Sequence, residues 1–552
     1  MRARSRPSFA LVPLAFALLA GACASEEGLN VAWTSPLCAA DQLACGLACV
    51  NAATDPSNCG ACGLPCPAGQ TCAGGACRCP PALVDCNGSC VGADANTCEM
   101  GATGGTATLI TSAPDAYWKT DGAITEVTAG NADVTIDGDA PAQSWEGFGG
   151  AFNEIGWNVL SMLGADERDR AIRLLYGADG ARFAFGRIPI GASDYAMDRY
   201  TLDETADDLS LAGFSIERDT MKLIPFVKAA QAVKPSIRLW ASPWTPPTWM
   251  KQGPFSSGTM VSAFDGGAMK GDDATLAAYA QYFIQFVKAY AAEGIAVEAI
   301  SPQNEPSYTG TYPTCAWSPA TYATFVGRHL GPAVETAGLP AKIILGTFNG
   351  GGSDVAIANS VLGDADARRY VRALGYQWGM VSHVGESKRF NLPIWQTEHR
   401  CGNYPWESPF DEAMAPNDHA YAVESWGLIR DAIKAGVTAY SAWNMVLDTV
   451  GVGIDTSRVW PQNALLTVDT AAKTLNVTPT YHVFRHLSQL VAPGARVVAA
   501  RGGDALAFKN TDGSLVAVIY NGGAAKTLIV DAAGKRLQFA MPGNGWATVV
   551  AR

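Results

Sequence analysis

Two glutamates stand where apolar segments typical of buried strands come to an end. Glu305 follows Val297–Asn304, and Glu398 follows Leu392–Thr397. A pair of carboxyl groups can hydrolyse a glycosidic bond, because one protonates the leaving oxygen while the other attacks the anomeric carbon. A single glutamate at a strand end is most simply a solvated loop charge. Two of them, placed alike, favour glycoside chemistry.

The ends of neighbouring apolar segments carry side chains suited to binding a sugar. These side chains are Arg187, Trp244, Asn304, Trp443 and Asn444. Indole faces stack on the C–H faces of sugar rings, whereas carboxylates and amides bind the hydroxyl groups. Charged and aromatic groups in such positions are unusual for packing alone. The sequence therefore predicts a carbohydrate site.

The elements that position these residues alternate along the chain from about residue 107. Apolar runs typical of parallel strands are Ala181–Pro189, Ile237–Ser242, Val297–Asn304, Ile343–Thr347, Leu392–Thr397 and Thr438–Trp443. Helical patterns lie between them at Asp219–Val233, Thr275–Ala292, Thr321–Ala337 and Tyr421–Lys434. This alternation predicts a (β/α)8 TIM barrel over residues 144–480, which places its chemistry at the C-terminal ends of the strands. A doubly wound open sheet is the alternative, although no Gly-rich phosphate loop follows any strand.

Near the C-terminus the sequence pattern becomes typical of short antiparallel strands. After about Thr480, segments such as Ala505–Lys509, Leu515–Tyr520 and Leu537–Met541 are separated by Asp-Gly and Gly-Gly turns. The stretch Ala107–Ile136 has the same character. Residues 481–552 are therefore expected to form an antiparallel β-sandwich, to which residues 101–143 contribute a linker and the N-terminal strands.

The first 22 residues resemble an export signal. Three arginines within the first six residues precede the apolar run Phe9–Ala20, which is too short to span a bilayer. The segment Leu18–Cys23 resembles a bacterial lipoprotein processing site with Cys23 as the lipidated residue, and ordinary signal-peptidase cleavage is the alternative. The protein is expected to be exported, as an outer-membrane or cell-surface lipoprotein or otherwise in secreted form.

Twelve of the 15 cysteines lie between Cys38 and Cys98 and predict a disulfide framework formed in an oxidising compartment. Few apolar residues separate them, so bridges must replace a core. Residues 23–100 are interpreted as an anchor and spacer, with a small binding module as the alternative. Cys315 and Cys401 each follow one of the two glutamates and are predicted to pair, with two buried free thiols as the alternative.

The composition narrows the classes of partner. The net charge of −12 argues against nucleic acid or an anionic membrane surface as a partner. The six histidines are scattered without a His-Glu-x-x-His spacing, so no metal and no cofactor is expected. At 552 residues the chain is long enough for two to four domains, and nothing in it indicates an oligomeric state.

A series of motifs then resembles glycoside hydrolase family 30, which includes glucosylceramidases and β-1,6-glucanases. In chain order the motifs are Glu146–Glu154, Arg187–Asp194, Ala241–Lys251, Asn304–Pro306, Thr397–Glu398 and Ser441–Asn444. The resemblance extends from about Ser144 to Val497. It implies a barrel with a β-sandwich, retention of anomeric configuration and no metal.

The resemblance also implies roles for individual residues. It makes Glu305 the acid/base and Glu398 the nucleophile, with Arg187 in contact with the nucleophile. It places at the −1 sugar subsite Glu154, Trp244, Asn304 and Trp443. A retaining pair lies roughly 5–5.5 Å apart, so the charge of Glu398 is expected to keep Glu305 protonated until the sugar is attached. Trp378 takes the place of a tyrosine found in many relatives.

The motifs reduce the range of possible substrates but leave several open. The intact Phe-Asn-Glu and Trp-Thr-Pro-Pro segments resemble the glucosyl-acting members, which favours a β-glucoside, a β-1,6-glucan or glucosylceramide. A β-xylosidase, xylanase or other β-glycanase is the alternative within the family. A non-catalytic surface glycan-binding protein would retain the tryptophans but has no need of both glutamates. A serine hydrolase is disfavoured because the sequence has no Gly-x-Ser-x-Gly segment.

Overall fold

The computed structural model divides the chain into two compact units, residues 1–102 and 103–552. It describes residues 42–45, 48–60, 66, 70–78, 83–86, 89–92, 107–255, 263–350, 352–405, 408, 410, 418–455 and 461–552. The predicted export signal, Cys23 and the predicted linker lie outside the described residues. Within the described residues, no helix combines the length and the apolar character needed to cross a bilayer.

The N-terminal unit contains small antiparallel hairpins, and two disulfides attach one of them, residues 71–78, to the preceding segment. Its strands are Leu43–Cys45, Ala48–Val50, Thr71–Ala73, Ala76–Arg78, Leu83–Cys86 and Ser89–Gly92. Cys59 is bonded to Cys72, and Cys66 to Cys77, so the two bridges interleave along the chain. The predicted disulfide-rich segment is confirmed.

Eight parallel strands close into a barrel in the second unit, which confirms the TIM barrel and rules out the open sheet. The strands, called one to eight below, are Gly147–Ala151, Phe185–Ile190, Arg238–Pro243, Val297–Ile300, Lys342–Phe348, Val371–Gln377, Ile394–His399 and Ala439–Asn444. Each pairs with the next, and strand eight pairs back to strand one. Strands two and seven are buried at every position, because the barrel interior covers one face and the helices cover the other.

Helices follow the strands around the barrel. They are Glu154–Ser161, Ala165–Tyr176, Glu217–Lys222, Ile224–Val233, Asp273–Ala292, Pro319–Thr324, Gly331–Thr336, Asp354–Gly363, Ala365–Arg368, Val384–Ser387, His419–Ala435 and Pro479–Ser488. The predicted helix 219–233 is interrupted at Leu223, just before Pro225, whose nitrogen cannot donate a helical hydrogen bond. The predicted helix 321–337 contains a π-helical segment, Phe325–Leu330.

The β-sandwich is a ten-stranded sheet assembled from both ends of the unit. Its strands are Ala107–Ala113, Ala116–Lys119, Ile124–Val127, Val134–Ser144, Arg496–Arg501, Asp504–Lys509, Leu515–Asn521, Lys526–Ala532, Lys535–Met541 and Gly545–Ala551. Val134–Ser144 pairs with Arg496–Arg501 on one side and with Lys526–Ala532 on the other, so it connects the two layers. Strands from residues 107–144 thus lie in the same sheet as the C-terminal strands.

Alternating side chains attach the sandwich to the barrel. In strand Leu515–Asn521, Leu515 and Ala517 enter the core between the sandwich layers, whereas Val516 and Val518 join the large core that continues into the barrel. Because successive side chains of a strand point to opposite faces, both faces of this strand are buried. The helix Pro479–Ser488 precedes the C-terminal sandwich strands, which begin at Arg496, later than the expected boundary at 481.

Candidate active site

The backbone after strand four presents Glu305 between two neighbouring strands. The Asn304 N–H donates to the Pro243 carbonyl at 2.8 Å, and the Glu305 N–H donates to the Thr347 carbonyl at 2.9 Å. Glu305 has a φ of 46°, in the left-handed region that residues with a side chain rarely adopt. Such a conformation persists only where the surroundings enforce it, and it is common at functional sites.

Both carboxyl oxygens of Glu305 are held by side chains. The Tyr312 hydroxyl donates to Oε2 at 2.8 Å, and the Gln377 amide donates to Oε1 at 2.9 Å. The Glu305 residue is only 6% exposed. Its carboxyl group therefore has a fixed orientation.

Glu398 lies within strand seven, opposite Gln377 of strand six. Arg187 Nη1 donates to its Oε2 at 2.7 Å, and Trp378 Nε1 donates to its Oε1 at 3.3 Å. Trp378 has a φ of 48°, so the chain turns sharply directly after strand six. Since Gln377 holds Glu305 and its neighbour Trp378 holds Glu398, one corner of the barrel brings both carboxyls into one site.

Arg187 organises the centre of the site from strand two. Its side chain is fully buried, Nη2 donates to Asn304 Oδ1 at 2.6 Å, and Nε donates to Ser242 Oγ at 3.0 Å. Its guanidinium lies 4.3 Å from the ring centroid of Trp244, which is a cation–π distance. Burial lowers the pKa of the Arg187 guanidinium, while the charge of Glu398 opposes that change.

The site contains more negative than positive charge. Burial raises the pKa of the Glu398 carboxyl; Arg187 opposes this rise, and the charges of Glu305 and Asp194 add to it. Three carboxyls thus surround one guanidinium in a region of low dielectric. Such a group of carboxyls retains a proton at a pH where exposed carboxyls are ionised.

These groups open into a cleft of about 450 Å³ at the C-terminal end of the barrel. The cleft is lined by Asp194, Trp244, Asn304, Glu305, Tyr308, Tyr312, Asn349, Gly350, Trp378 and Glu398. Trp443 stacks on Trp244 with ring centroids 5.2 Å apart and an interplanar angle of 21°. The cleft combines aromatic surface with carboxyl and amide groups, as a sugar site requires.

Glu154 lies beside this site rather than on its lining. It begins the helix after strand one, where Arg218 holds both of its carboxyl oxygens at 2.8–2.9 Å. The Met197 N–H donates to it as well, at 2.8 Å. Glu154 was expected at the −1 subsite, but its carboxylate is bound by the Arg218 guanidinium instead.

The predicted disulfide between Cys315 and Cys401 is wrong. Both residues are buried free thiols. Burial raises the pKa of the Cys315 thiol to about 12 and raises that of Cys401 as well. Position after a catalytic strand fixes the barrel face of a cysteine but not the separation of the two sulfur atoms, which a bond requires to be short.

Sequence reasoning missed three polar contributors to the site. Tyr312 and Gln377 hold Glu305, and Asp194 lines the cleft. Asp194 ends the motif that begins at Arg187, and Gln377 directly precedes Trp378, so one lies inside a motif of the sequence and the other lies next to a predicted site residue. Tyr312 lies in an irregular loop and offered no pattern.

Comparisons with known proteins agree with this architecture. The model of the glycosyl hydrolase family 30 TIM-barrel domain matches residues 145–491, and that of the family's beta sandwich domain matches residues 495–549. The mouse lysosomal acid glucosylceramidase is 27% identical over 70% of this chain and 77% of its own. The endo-1,6-beta-D-glucanase of Neurospora crassa is 27% identical over 70% of this chain and 81% of its own.

Solved structures show the same fold. SrfJ from Salmonella typhimurium has a TM-score of 0.70 at 22% identity, covering 81% of this chain and 99% of its own. An endo-beta1,6-glucanase has a TM-score of 0.70 at 23% identity, covering 81% of this chain and 98% of its own. The family models match most of the chain, and the expected family is confirmed: the chain belongs to glycosyl hydrolase family 30.

Proposed function

We propose that the protein hydrolyses β-glucosidic bonds with retention of configuration, with Glu398 as nucleophile and Glu305 as acid/base. The observation that carries this proposal is the pair of buried carboxyls, each held at both oxygens, in one cleft of a family 30 barrel. The glucosylceramidases and endo-1,6-β-D-glucanases among its relatives support a glucosyl substrate.

In the first step Glu398 attacks the anomeric carbon and Glu305 protonates the leaving oxygen. Arg187 and Trp378 both donate to Glu398, which stabilises that group as an ionised carboxylate. The acid role is therefore assigned to Glu305, whose oxygens accept from two neutral groups, the Tyr312 hydroxyl and the Gln377 amide. The hydroxyl of Tyr312 can turn to accept a hydrogen bond from the proton of the acid, because a hydroxyl both donates and accepts.

In the second step the glycosyl ester of Glu398 is hydrolysed. Esterification removes the negative charge of Glu398, so an ionised Glu305 is no longer opposed by its neighbour. Glu305 then accepts a proton from water as the water attacks the anomeric carbon. Two displacements at one carbon restore the original β configuration.

Asn304 is suited to bind a sugar hydroxyl. Its Oδ1 already accepts from Arg187 Nη2 at 2.6 Å and from Thr347 Oγ1 at 2.7 Å. The amide group Nδ2 is therefore the part of Asn304 that is oriented to donate to substrate, as a contact to the 2-hydroxyl requires. Asp194 supplies an acceptor for further hydroxyls on the same lining.

Product stereochemistry tests the proposal. Early NMR spectra of aryl β-glucoside hydrolysis should show the β anomer first, and an initial α anomer would contradict the retaining mechanism. Glu305→Ala should still be glycosylated by substrates with good leaving groups, and added azide should yield a β-glucosyl azide. A panel that includes β-1,6-glucan, glucosylceramide and xylan identifies the substrate, and an absence of all turnover would favour a glycan-binding protein.

We further propose that the protein is exported and held at a membrane through lipid on Cys23, with residues up to about 100 as a spacer. The lipoprotein-like segment Leu18–Cys23 supports this, and no proposed site residue precedes Glu154. Cys23→Ser should move the protein from the membrane fraction to the soluble fraction without changing kcat/KM. A chain that starts at Gly101 should keep its kcat/KM on aryl glucosides, and a large loss would contradict the spacer assignment.

A further inference from the structure

Tyr308 is an aromatic side chain exposed on the wall of the cleft. It lines the cleft and is 40% exposed. Other large apolar side chains with comparable exposure among the described residues are Met162, Met197, Leu209, Met221, Val233 and Val450. None of these lines the cleft. The exposure of Tyr308 is therefore specific to this site.

The position of Tyr308 is fixed relative to Glu305. The Tyr308 N–H donates to the Glu305 carbonyl at 2.9 Å, in the turn that directly follows that residue. Its ring stacks with that of Tyr312 at a centroid separation of 6.0 Å and an interplanar angle of 29°. Tyr312 in turn donates to the Glu305 carboxyl. Both the backbone and the neighbouring ring thus place Tyr308 on the Glu305 side of the site.

We infer that Tyr308 forms the subsite for the leaving group, and that this leaving group is a sugar ring. The inference rests on the proposed function, because a general acid stands on the leaving-group side of the bond that it protonates. An aromatic face stacks on the C–H face of a pyranose. The substrate class is accordingly a β-linked gluco-oligosaccharide or glucan.

A lipid leaving group fits the described lining less well. Two alkyl chains require continuous apolar surface beside the acid. Among the described residues, the cleft lining also includes Asn349 and Gly350, which provide an amide and backbone instead. An aromatic face beside polar groups is the pattern expected for a sugar subsite.

Two substrates that differ only in the leaving group test this inference. A β-1,6-linked glucose disaccharide occupies the leaving-group subsite, whereas β-glucosyl fluoride has a leaving group too small to reach Tyr308. Tyr308→Ala should lower kcat/KM on the disaccharide about tenfold and change it on the fluoride by less than about twofold. Tyr308→Phe retains the ring face and should behave like the unaltered protein on both substrates.

Leu209→Ala is the matched control, because Leu209 is 52% exposed but lies outside the cleft lining. It should leave both activities unchanged. An equal loss on both substrates in Tyr308→Ala, or no loss on either, would overturn the inference. Turnover of the fluoride and glucosylceramide without the disaccharide would also overturn it while leaving the proposed function intact. If the unaltered protein hydrolyses none of the three, the proposed function itself fails.

Discussion

The two ends of the barrel use the same strands for different purposes. At the C-terminal end, Arg187 faces buried carboxyls that outnumber it, in a cleft of about 450 Å³. At the N-terminal end, a smaller cavity of about 190 Å³ is lined by Phe185, Trp240 and Trp395 together with charged groups. There Arg238 forms an ion pair of 3.1 Å with Glu298, and both side chains are partly exposed.

Within a single barrel strand, the residues near the N-terminal end pack in the core, and a residue only two or three positions later carries a charge in the cleft. Phe185 and Arg187 belong to strand two, and Trp395 and Glu398 belong to strand seven. In each strand the earlier residue packs at the N-terminal end, and the later one carries a charge at the C-terminal end. Buried charge in excess, with left-handed backbone at Glu305, therefore distinguishes the functional end from the stabilising end.

The same substitution at opposite ends should give the largest contrast. Glu398→Gln removes the proposed nucleophile and should lower kcat/KM by about 10⁴-fold or more. Its melting temperature should stay equal or rise, since one of three crowded carboxyls is lost. Glu298→Gln at the other end should leave kcat/KM unchanged, and steady-state kinetics with thermal unfolding would check both. Comparable losses in the two variants would contradict the assignment of the functional end.

Removing the central guanidinium should have a smaller but more specific effect. Arg187→Met should lower kcat/KM about 10²–10³-fold, because a preorganised donor to the reacting group is lost. It should also move the acid limb of the kcat/KM profile to higher pH, since Arg187 lowers the pKa of Glu398. Arg238→Met should leave the profile in place. An unshifted acid limb in Arg187→Met would show that Arg187 does not act through Glu398.

The N-terminal end should respond in stability instead. Trp395 packs against Phe185 and donates to Glu146 at 2.9 Å. Trp395→Ala should lower the free energy of unfolding by about 3 kcal/mol, as expected for a large aromatic removed from a core. Its kcat/KM should change by less than about threefold, because the lost packing lies at the opposite end from the reacting groups. Denaturant titration and kinetics on the same preparation would separate the two effects.

A buried histidine that lies away from the cleft should affect the pH dependence of stability but not that of activity. His486 is fully buried between Ser112 and Thr548, and burial lowers its pKa to about 3, with His482 and Arg485 adding to the effect. Folding favours the neutral form of His486. The free energy of unfolding therefore has its full value, as far as His486 determines it, above about pH 6.5, and it decreases as the pH falls toward 3. By pH 5 the loss should reach about 2 kcal/mol.

His486→Gln should flatten that loss between pH 7.5 and pH 5. Denaturant titrations at the two pH values would measure it. The shape of the kcat/KM profile should stay the same in this variant, because His486 touches no residue of the cleft lining. An equal loss of stability with and without His486 would contradict the assignment.

The sequence predicts barrel strands where burial on both faces leaves a continuous apolar run, as in Phe185–Ile190. The apolar pattern alone does not reveal the whole of strand one, because Gly147–Ala151 has three glycines. The structure shows that Gly150 is needed for space, since a Cβ there would collide with the Met445 side chain. The apolar pattern alone does not reveal strand six, Val371–Gln377, because Arg372 and Gly375 interrupt its apolar run.

The part of the site that lies at strand ends could be predicted from the sequence. Glu305 and Glu398 follow from their positions after apolar runs, and the structure brings them together. Tyr312 and Gln377 reach Glu305 because the backbone turns through left-handed conformations at Glu305 and Trp378. The residue types at these two positions do not predict such turns. Glycine is the usual signal for such a turn, and neither position has one.

The covalent intermediate on Glu398 provides the most direct test of the account. A 2-deoxy-2-fluoro-β-glucoside with a good leaving group should inactivate the protein, because fluorine slows hydrolysis of the glycosyl-enzyme more than a good leaving group slows its formation. Mass spectrometry of the intact protein and of its peptides should then find one fluoroglucosyl group, attached to the peptide that contains Glu398. Attachment to another residue, or hydrolysis with inverted product and no adduct, would contradict the proposed mechanism.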